Sequence, residues 1–170
     1  LHVIRDNWGI PHIRAGSTYD AFFGQGFCMA QDRLFQIELY RRMALGTSAG
    51  MLNRGLLRRD KQNRKLRFAR FAQLEWEHQT EDEQLILQAY SDGINAVIES
   101  GLFPFEFKVI SDGGEPYEMA PWHPSDSLAI IKMVSSNNQW ASKLKHALVL
   151  QELGIDGLLP MIPKINLESS

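Results

Sequence analysis

The sequence predicts a mostly helical chain of the α+β class, with one short β-hairpin at its beginning. Two strand-like stretches, 2–5 and 10–14, flank the turn residues of 6–9, which is the pattern of a hairpin. From 19 to about 45, apolar residues recur at intervals of three and four, which is the spacing of one buried helix face. Thr80 and Glu83 have the spacing of a capping box, so a second long helix is expected to begin there.

The length and the charge of the chain limit the classes of function it can have. A chain of 170 residues, 44% hydrophobic and 22% charged, has the composition of one globular domain, which we assign to residues 1–170. The formal net charge of -2 gives no overall attraction for nucleic acid, and no apolar run approaches the ~20 residues of a membrane span. We therefore expect neither a nucleic-acid nor a membrane partner. Residues 1–5 also lack the pattern of a signal peptide.

The first long helix is predicted to begin after Ser17 or Thr18, either of which can cap it. Gly24 and Gly26 lie inside the helix, where each glycine costs about 1 kcal/mol relative to alanine. Because a glycine leaves no side chain between a helix and its neighbour, we expect both positions to be sites of close packing.

Residues 54–70 hold eight basic side chains and have two interpretations. The first is a surface for anions or nucleic acid on a non-catalytic helical interaction module. The second is a solvated helix face, and the usual exposure of charged residues favours it. The eight residues are Arg54, Arg58, Arg59, Lys61, Arg64, Lys65, Arg67 and Arg70. The apolar side of this stretch is expected to consist of Leu66, Phe68, Phe71 and Leu74.

The second half of the chain contains further helix and turn signals. The helix that begins after Thr80 is expected to run to about Ser100, and 105–110 alternates like a short strand. Residues 112–114 predict a turn. Ser125 can cap a last long helix that extends to about Leu153 and ends at Gly154. Residues 160–170 have no periodicity, and 155–170 are predicted to form an extended tail.

The chain offers few residues for catalysis. It has no phosphate-binding loop, no paired-histidine metal motif and no glycine-flanked serine, and its five histidines have no partners at metal-ligand spacing. Cys28, on the apolar side of the first helix, is expected to be a buried and inert thiol. Glu38 and Arg42 are four residues apart, so they can form an ion pair along the first helix. The residues alone therefore predict a helical domain whose function is open.

Several segments together resemble the start of penicillin-acylase-type amidases, which are N-terminal nucleophile hydrolases. They are VIRDNWGIPHIRA at 3–15, DAFFGQGF at 20–27, AQDRLFQ at 30–36 and the pair Arg41-Arg42. Further similar segments follow in the family's order: YSDGIN at 90–95, PFEF at 104–107, Pro121-Trp122, and Asp126-Ser127. The combination of the hairpin with Ala-Gln-Asp-Arg is more specific than any single segment.

The resemblance implies a precursor that is cut into two chains, of which this one is the smaller, or α, subunit. The larger β subunit would begin with the nucleophile, usually serine, and its free amine would act as the base. Leu1 has neither a hydroxyl nor a thiol, so no catalytic residue is expected in this chain. Together the two chains are expected to form a four-layer αββα sandwich. The tail at 155–170 would lie near the processing site.

The implied reaction is hydrolysis of linear amide bonds by acyl transfer to the partner's nucleophile, followed by attack of water. Penicillins, acyl-homoserine lactones and N-acyl amino acids all remain open as substrates, because half of the pocket is expected on the other chain. The resemblance further implies a bacterial periplasmic or secreted protein. We also expect Asp32 or Arg33, both polar within an apolar helix, to be buried and paired at the junction between the subunits.

The segment SSNNQW at 135–140 has two interpretations. It resembles the Ser-Asn-Asn-Trp start of a family β subunit, which would make Ser136 an unprocessed nucleophile. Its helical periodicity, and its place in the family order, favour instead the α-subunit helix that lines the acyl pocket. On that interpretation the helix supplies four substrate-binding residues, which are Met133, Asn137, Asn138 and Trp140. Met133, Asn137 and Trp140 are spaced by four and three, so these three can share one helix face.

Many relatives carry a glutamate on this helix that helps to bind a structural calcium ion. In this chain Lys143-Leu144 stands at the place of their Glu-Leu pair. An ammonium group cannot ligate Ca²⁺, which binds carboxylate and carbonyl oxygens. The substitution argues against the family's calcium site here, and we expect no cofactor.

Overall fold

The computed structural model of the chain describes residues 1–111, 116–137 and 140–161, six of them by their backbone alone. The chain divides into two compact units, Leu1–Met133 and Val134–Ser170. Two strands, β1 (His2–Arg5) and β2 (Pro11–Arg14), precede the helices. The helices are α1 (Thr18–Leu45), α2 (Ser48–Met51), α3 (Leu57–Leu66), α4 (Phe68–Glu77), α5 (Glu81–Glu99), α6 (Phe105–Ile110), α7 (Pro124–Asn137) and α8 (Trp140–Leu158). Short 3₁₀ turns occupy Arg54–Leu56 and Leu159–Met161.

The hairpin and the mostly helical character of the chain are confirmed. Strands β1 and β2 pair antiparallel, with His2 opposite Arg14 and Arg5 opposite Pro11. The carboxylate of Asp6 accepts hydrogen bonds of 2.9 Å from the backbone N–H groups of the turn residues Trp8 and Ile10. This short polar side chain therefore satisfies the turn in place of backbone partners.

Helices α1 and α5 pack through their glycines, as predicted for Gly26. A Cβ atom on Gly26 would lie 2.0 Å from the carbonyl oxygen of Tyr90, and one on Gly93 would lie 2.1 Å from that of Phe23. The helix backbones are thus in direct contact, and any side chain at either glycine would separate them. Gly24 serves the hairpin instead, since its Cβ would lie 2.9 Å from Cγ2 of Ile13.

The predicted helix ends on α1 and α5 are confirmed. The hydroxyl of Ser17 accepts a hydrogen bond of 3.1 Å from the N–H of Asp20 at the start of α1. Gly46 ends α1 in the left-handed conformation, with φ of 68°. Thr80 and Glu83 form the reciprocal capping box that begins α5. These side-chain caps could be predicted from the sequence because each involves two residues only three positions apart.

The prediction of a strand at 105–110 is wrong, because these residues form helix α6. Pro104, in an extended conformation, precedes the helix, and Phe107 is buried. The ring of Phe107 lies 5.2 Å from that of Phe103, just before the helix, and 5.3 Å from that of Phe35. Burial of this aromatic cluster outweighs the local alternation of apolar and polar residues.

The last predicted helix is also corrected. Pro124, not Ser125, is the first residue of α7, and α7 and α8 are separate elements on either side of 138–139. Gly154, with φ of 68° and ψ of -170°, is not helical, so the helical conformation stops at this residue as predicted, but a further helical segment follows it within α8. Consequently 155–161 is helical or 3₁₀, where an extended tail was expected. The predicted turn at 112–114 and the tail from 162 onward lie outside the described residues.

Helices α3 and α4 carry the basic stretch, and all eight basic residues are exposed, as the solvated-face interpretation predicts. The expected apolar side is wrong for three of its four residues, because only Phe68 is buried. Arg67 adopts a left-handed conformation, with φ of 57° and ψ of 35°, between the two helices. Since the helical register breaks at this residue, the periodicity does not continue across it.

No helix in the described part of the chain is long and apolar enough to cross a membrane.

Candidate functional site

A buried ion cluster lies at the centre of α1. Glu38 is 0% exposed and Arg41 is 4% exposed, and the Nε atom of Arg41 donates a hydrogen bond of 2.6 Å to Glu38. The Nε atom of Arg42 donates a second hydrogen bond to Glu38, of 2.8 Å, so the predicted Glu38–Arg42 pair is confirmed. A buried carboxylate requires such partners, because the loss of hydration is large.

Tyr117 completes the cluster from a distant part of the chain. Its hydroxyl donates a hydrogen bond of 2.6 Å to the second carboxylate oxygen of Glu38. Burial, followed by this hydrogen bond, raises the pKa of Tyr117 to about 12. Burial is the largest single effect on the pKa of Arg42 and acts to lower it, but the hydrogen bond to Glu38 and the further interactions with Glu38 and Tyr117 together outweigh burial, so the pKa is raised. The phenol is therefore neutral and the guanidinium charged at any physiological pH.

Arg41 connects the ion cluster to the loop that precedes α7. One of its terminal nitrogens donates to the carbonyl oxygens of Ala120, at 3.1 Å, and Pro121, at 3.0 Å, and lies 3.4 Å from the carboxylate of Asp126. Asp126 also accepts a hydrogen bond of 2.9 Å from the backbone N–H of His123. The start of α7 is therefore held by charge as well as by packing.

Trp122 is fixed on three sides beside the start of α7. The side-chain amide of Asn95 forms two hydrogen bonds with the backbone of Trp122. Its oxygen accepts from the N–H of Trp122 at 2.6 Å, and its nitrogen donates to the C=O of Trp122 at 3.0 Å. Its indole N–H donates to Ser127 at 3.0 Å, and the guanidinium of Arg41 lies 5.1 Å from its ring centre. Sequence reasoning missed the roles of Asn95 and Tyr117, because their partners are 27 and 79 residues away.

The four predicted substrate-binding residues are placed unequally. Met133 is 5% exposed and packs in a core cluster with Phe68 and Leu128, while its sulfur accepts a contact of 3.7 Å from Asn63. Such burial argues against direct contact between Met133 and a substrate. Asn137 and Trp140 are described by their backbone alone, at the end of α7 and the start of α8, and Asn138 lies outside the described residues.

Ser136, the Asp32-Arg33 pair and Cys28 are the other residues for which the sequence predicts a role. Ser136 lies within α7, as the helical interpretation predicts. Asp32 is 44% exposed and pairs with Arg5 at 2.8 Å, while Arg33 bonds Gln36 at 3.0 Å. Neither is buried within this chain, so their burial at a subunit junction stays a prediction. Cys28 is buried, as expected, and burial raises the pKa of its thiol.

An apolar groove of about 350 Å³ opens between α1, α5 and the first part of α7. Gln25 and Ser127 are polar, but the rest of its lining is apolar or aromatic, including Phe22, Met29, Tyr90, Ile130 and Ile131. Ile131 on its rim is 58% exposed. A groove of this kind suits an apolar surface or ligand.

The described residues contain no group of three or more His, Cys, Asp or Glu side chains that could hold a metal ion.

The buried ion cluster and the contacts of Trp122 together form a scaffold that positions α1 and the loop before α7. The penicillin amidase family description matches residues 1–167, and the chain belongs to this family. It is 39% identical over 133 residues to the penicillin acylase 2 proenzyme of Pseudomonas sp. (strain SE83). It is 32% identical over 143 residues to the penicillin G acylase of Escherichia coli.

These matches cover 78% and 81% of this chain but only 16% of either relative. An acyl-homoserine lactone acylase, QuiP of Pseudomonas aeruginosa, is 28% identical over 136 residues, which are 79% of this chain and 16% of that protein. The chain therefore spans a small part of the length of the relatives it matches.

One solved structure contains a chain that is matched over nearly its whole length. A chain in the thermostable penicillin G acylase from Alcaligenes faecalis is 26% identical, with a TM-score of 0.71. The match covers 99% of this chain and 95% of that chain. The similarity to this solved chain thus extends over nearly the whole of both.

Proposed function

We propose that this chain is the smaller subunit of a heterodimeric amide hydrolase whose larger subunit supplies the N-terminal nucleophile. The observation that carries the proposal is the contrast between two coverages. The match to a proenzyme relative covers only 16% of that protein, whereas the match to one chain of a solved penicillin G acylase covers 95% of that chain. A solved relative thus contains a separate chain of this size, as a two-chain enzyme requires.

The reaction proposed for the complete protein is hydrolysis of a linear amide. The partner's terminal hydroxyl or thiol attacks the carbonyl, its own amine accepts the proton, and the amine product leaves. Water then releases the acyl group from the nucleophile. The similar relatives include penicillin acylases and an acyl-homoserine lactone acylase, so an N-acyl compound is the substrate class we propose.

The role we propose for this chain is to hold part of the acyl pocket. Asn137, Asn138 and Trp140 would supply a flat apolar surface with amide donors and acceptors. Met133, which is buried, would support α7 from the core rather than touch the acyl group. The four-layer αββα sandwich would be completed by the larger subunit, against which the apolar groove between α1, α5 and α7 would pack.

Three further expectations belong to this proposal. The precursor would process itself, because the nucleophile must become the first residue of the larger chain. The complete protein would be periplasmic or secreted, by the family resemblance. The calcium site of relatives would be absent or altered at Lys143, which is exposed on α8.

The test is to express the complete natural gene and to sequence the N-termini of the purified protein. We expect two chains, the larger beginning with Ser, Thr or Cys. The purified protein should hydrolyse at least one of penicillin G, an N-acyl-homoserine lactone and an N-acyl amino acid. Replacing the first residue of the larger chain by alanine should abolish hydrolysis. A single uncut chain without amidase activity on this panel would contradict the proposal.

A non-catalytic module that binds anions through Arg54–Arg70 is the competing function. The exposure of all eight basic residues is compatible with it. Membership of a family whose similar relatives are acylases favours the enzyme. A stable lone chain that binds polyanions and has no larger partner in the natural protein would decide for the module.

A further inference from the structure

The outer face of α3 and α4, which we call the basic face, is charged very differently from the rest of the chain. Its residues 54–70 hold eight Lys and Arg against one Asp, and the other residues hold 10 Lys and Arg against 19 Asp and Glu. The single acid, Asp60, is buried and bonded to Ser48 and Ala49, so it does not screen the face. The net charge of -2 for the whole chain conceals this separation.

The cations of the basic face are available for a partner outside the chain. Within the described residues, six of the eight side chains make no hydrogen bond or ion pair; they are Arg54, Arg58, Lys61, Lys65, Arg67 and Arg70. Arg58, Lys61 and Lys65 are three and four positions apart, so they share one side of α3. The side with Asp60 and Asn63 is buried, so these three cations point away from the chain.

The backbone at Arg67 is a second, independent feature of the basic face. It is the one non-glycine residue with positive φ in the described part of the chain. A left-handed conformation disfavours residues with a Cβ atom, and Gly or Asn would adopt it at lower cost. An arginine nevertheless stands there. The strain is consistent with a requirement for its charge, since such outliers persist where function depends on them.

Apolar side chains lie exposed among these cations. Phe71 is 52% exposed, and Leu57, Leu66 and Leu74 are exposed as well. Helices that combine Lys and Arg with exposed Leu and Phe bind at the boundary between lipid headgroups and acyl chains. The phosphate backbone of a nucleic acid would use the cations but would gain little from the leucines. The composition of the basic face therefore favours a lipid surface over a nucleic acid.

We propose that the basic face docks the protein on the surface of an anionic phospholipid bilayer. This inference goes beyond the proposed hydrolase function. It also departs from the expectation of no membrane partner, which rested on the lack of an apolar run long enough to span a bilayer, because docking on a bilayer surface needs no such run. Phosphate groups attract the outward cations, while Phe71 and the neighbouring leucines enter the interfacial region. Docking would bring the enzyme to the bilayer, where acyl compounds with apolar tails accumulate.

The test uses the complete two-chain protein and sedimentation with vesicles. At low salt we expect binding to vesicles of equal phosphatidylglycerol and phosphatidylcholine, and little binding to phosphatidylcholine alone. High salt should weaken the binding because it screens the cations. The triple variant Arg58→Gln, Lys61→Gln, Lys65→Gln should reduce the partition coefficient by about a hundredfold, since each cation near an anionic surface contributes comparably.

A matched control removes three exposed cations elsewhere through Arg14→Gln, Lys108→Gln and Lys145→Gln. It should retain most of the vesicle binding, and both triple variants should keep the hydrolase activity of the parent. Equal loss in the two variants would overturn the proposal, because it would indicate only an effect of net charge. Absence of binding to anionic vesicles, or binding to duplex DNA in its place, would overturn it as well.

Discussion

The guanidinium of Arg41 lies 3.4 Å from the carboxylate of Asp126 and so connects the middle of α1 to the first turn of α7. The same arginine is paired with the fully buried Glu38. Three charges therefore share a site without bulk water, where each depends on the others for its stability. The elements on either side of this contact are 85 residues apart in the sequence.

Replacing Glu38 by glutamine should destabilise the two-chain protein severely. The amide keeps the size of the side chain but removes the nearer anionic partner of the buried Arg41, which among the described residues retains only Asp126 at 3.4 Å, and breaking a buried pair in this way costs about 3–5 kcal/mol. Urea unfolding, followed by circular dichroism, measures the change. Glu99→Gln, at the exposed end of α5, is the control and should change the free energy of unfolding little. Similar midpoints for the two variants would contradict the prediction.

Replacing Gly26 by alanine should force α1 and α5 apart. The added Cβ would lie 2.0 Å from the carbonyl oxygen of Tyr90, which is backbone and cannot rotate away. Overpacking of this kind costs about 1–3 kcal/mol, which exceeds the gain of about 1 kcal/mol in helix propensity. Gly50→Ala is the matched control, because no atom lies within 4 Å of its added Cβ. We expect a lower Tm for the first variant and no loss for the second.

Tyr117 should make stability depend on pH in the alkaline range. Its pKa is raised from about 10 to about 12, so the folded state disfavours the phenolate more than the unfolded state does. The resulting stabilisation is fully present below pH 10 and is lost as the pH rises from 10 towards 12. Tyr117→Phe lacks this titration. The difference in urea midpoint between parent and variant should therefore shrink between pH 9 and pH 11, and a constant difference would refute the assignment.

Expression of residues 1–170 alone should give aggregated or molten protein. Trp8 is 88% exposed at the hairpin turn, Ile131 is 58% exposed, and the apolar groove between α1, α5 and α7 is open. Covering such a surface in the assembled protein would need an interface larger than ~2,000 Å². Near-ultraviolet circular dichroism and dye binding report the state of the isolated chain. A sharp cooperative melt would count against this prediction.

Replacing Trp140 by alanine in the two-chain enzyme should alter which acyl group is preferred. A residue that shapes a pocket changes the relative kcat/KM of small and large acyl substrates, by about tenfold for 1.4 kcal/mol of differential binding. Trp140→Phe, which keeps an aromatic ring, should cause a smaller shift. A uniform loss of activity for all substrates, together with lost assembly, would mean that Trp140 is structural.

The sequence by itself determined those features that depend on neighbouring residues. The hairpin turn at Asp6, the cap at Ser17 and the capping box of Thr80 and Glu83 all involve partners two to four positions away. The periodicity of α1 and the close approach at Gly26 were likewise predictable, because both follow from helix geometry along one segment. Family membership followed from residue order alone.

Only the tertiary structure decided the features that depend on distant partners. The alternation at 105–110 predicted a strand, but burial of Phe107 against Phe35 makes these residues helical. The contact of Arg41 with Asp126 on α7 joins residues 85 positions apart, so no local spacing indicates it. Arg67 breaks the periodicity of the basic stretch by its backbone conformation, which no local spacing encodes. Long-range burial and charge pairing contribute more free energy than local propensity, so they prevail where the two conflict.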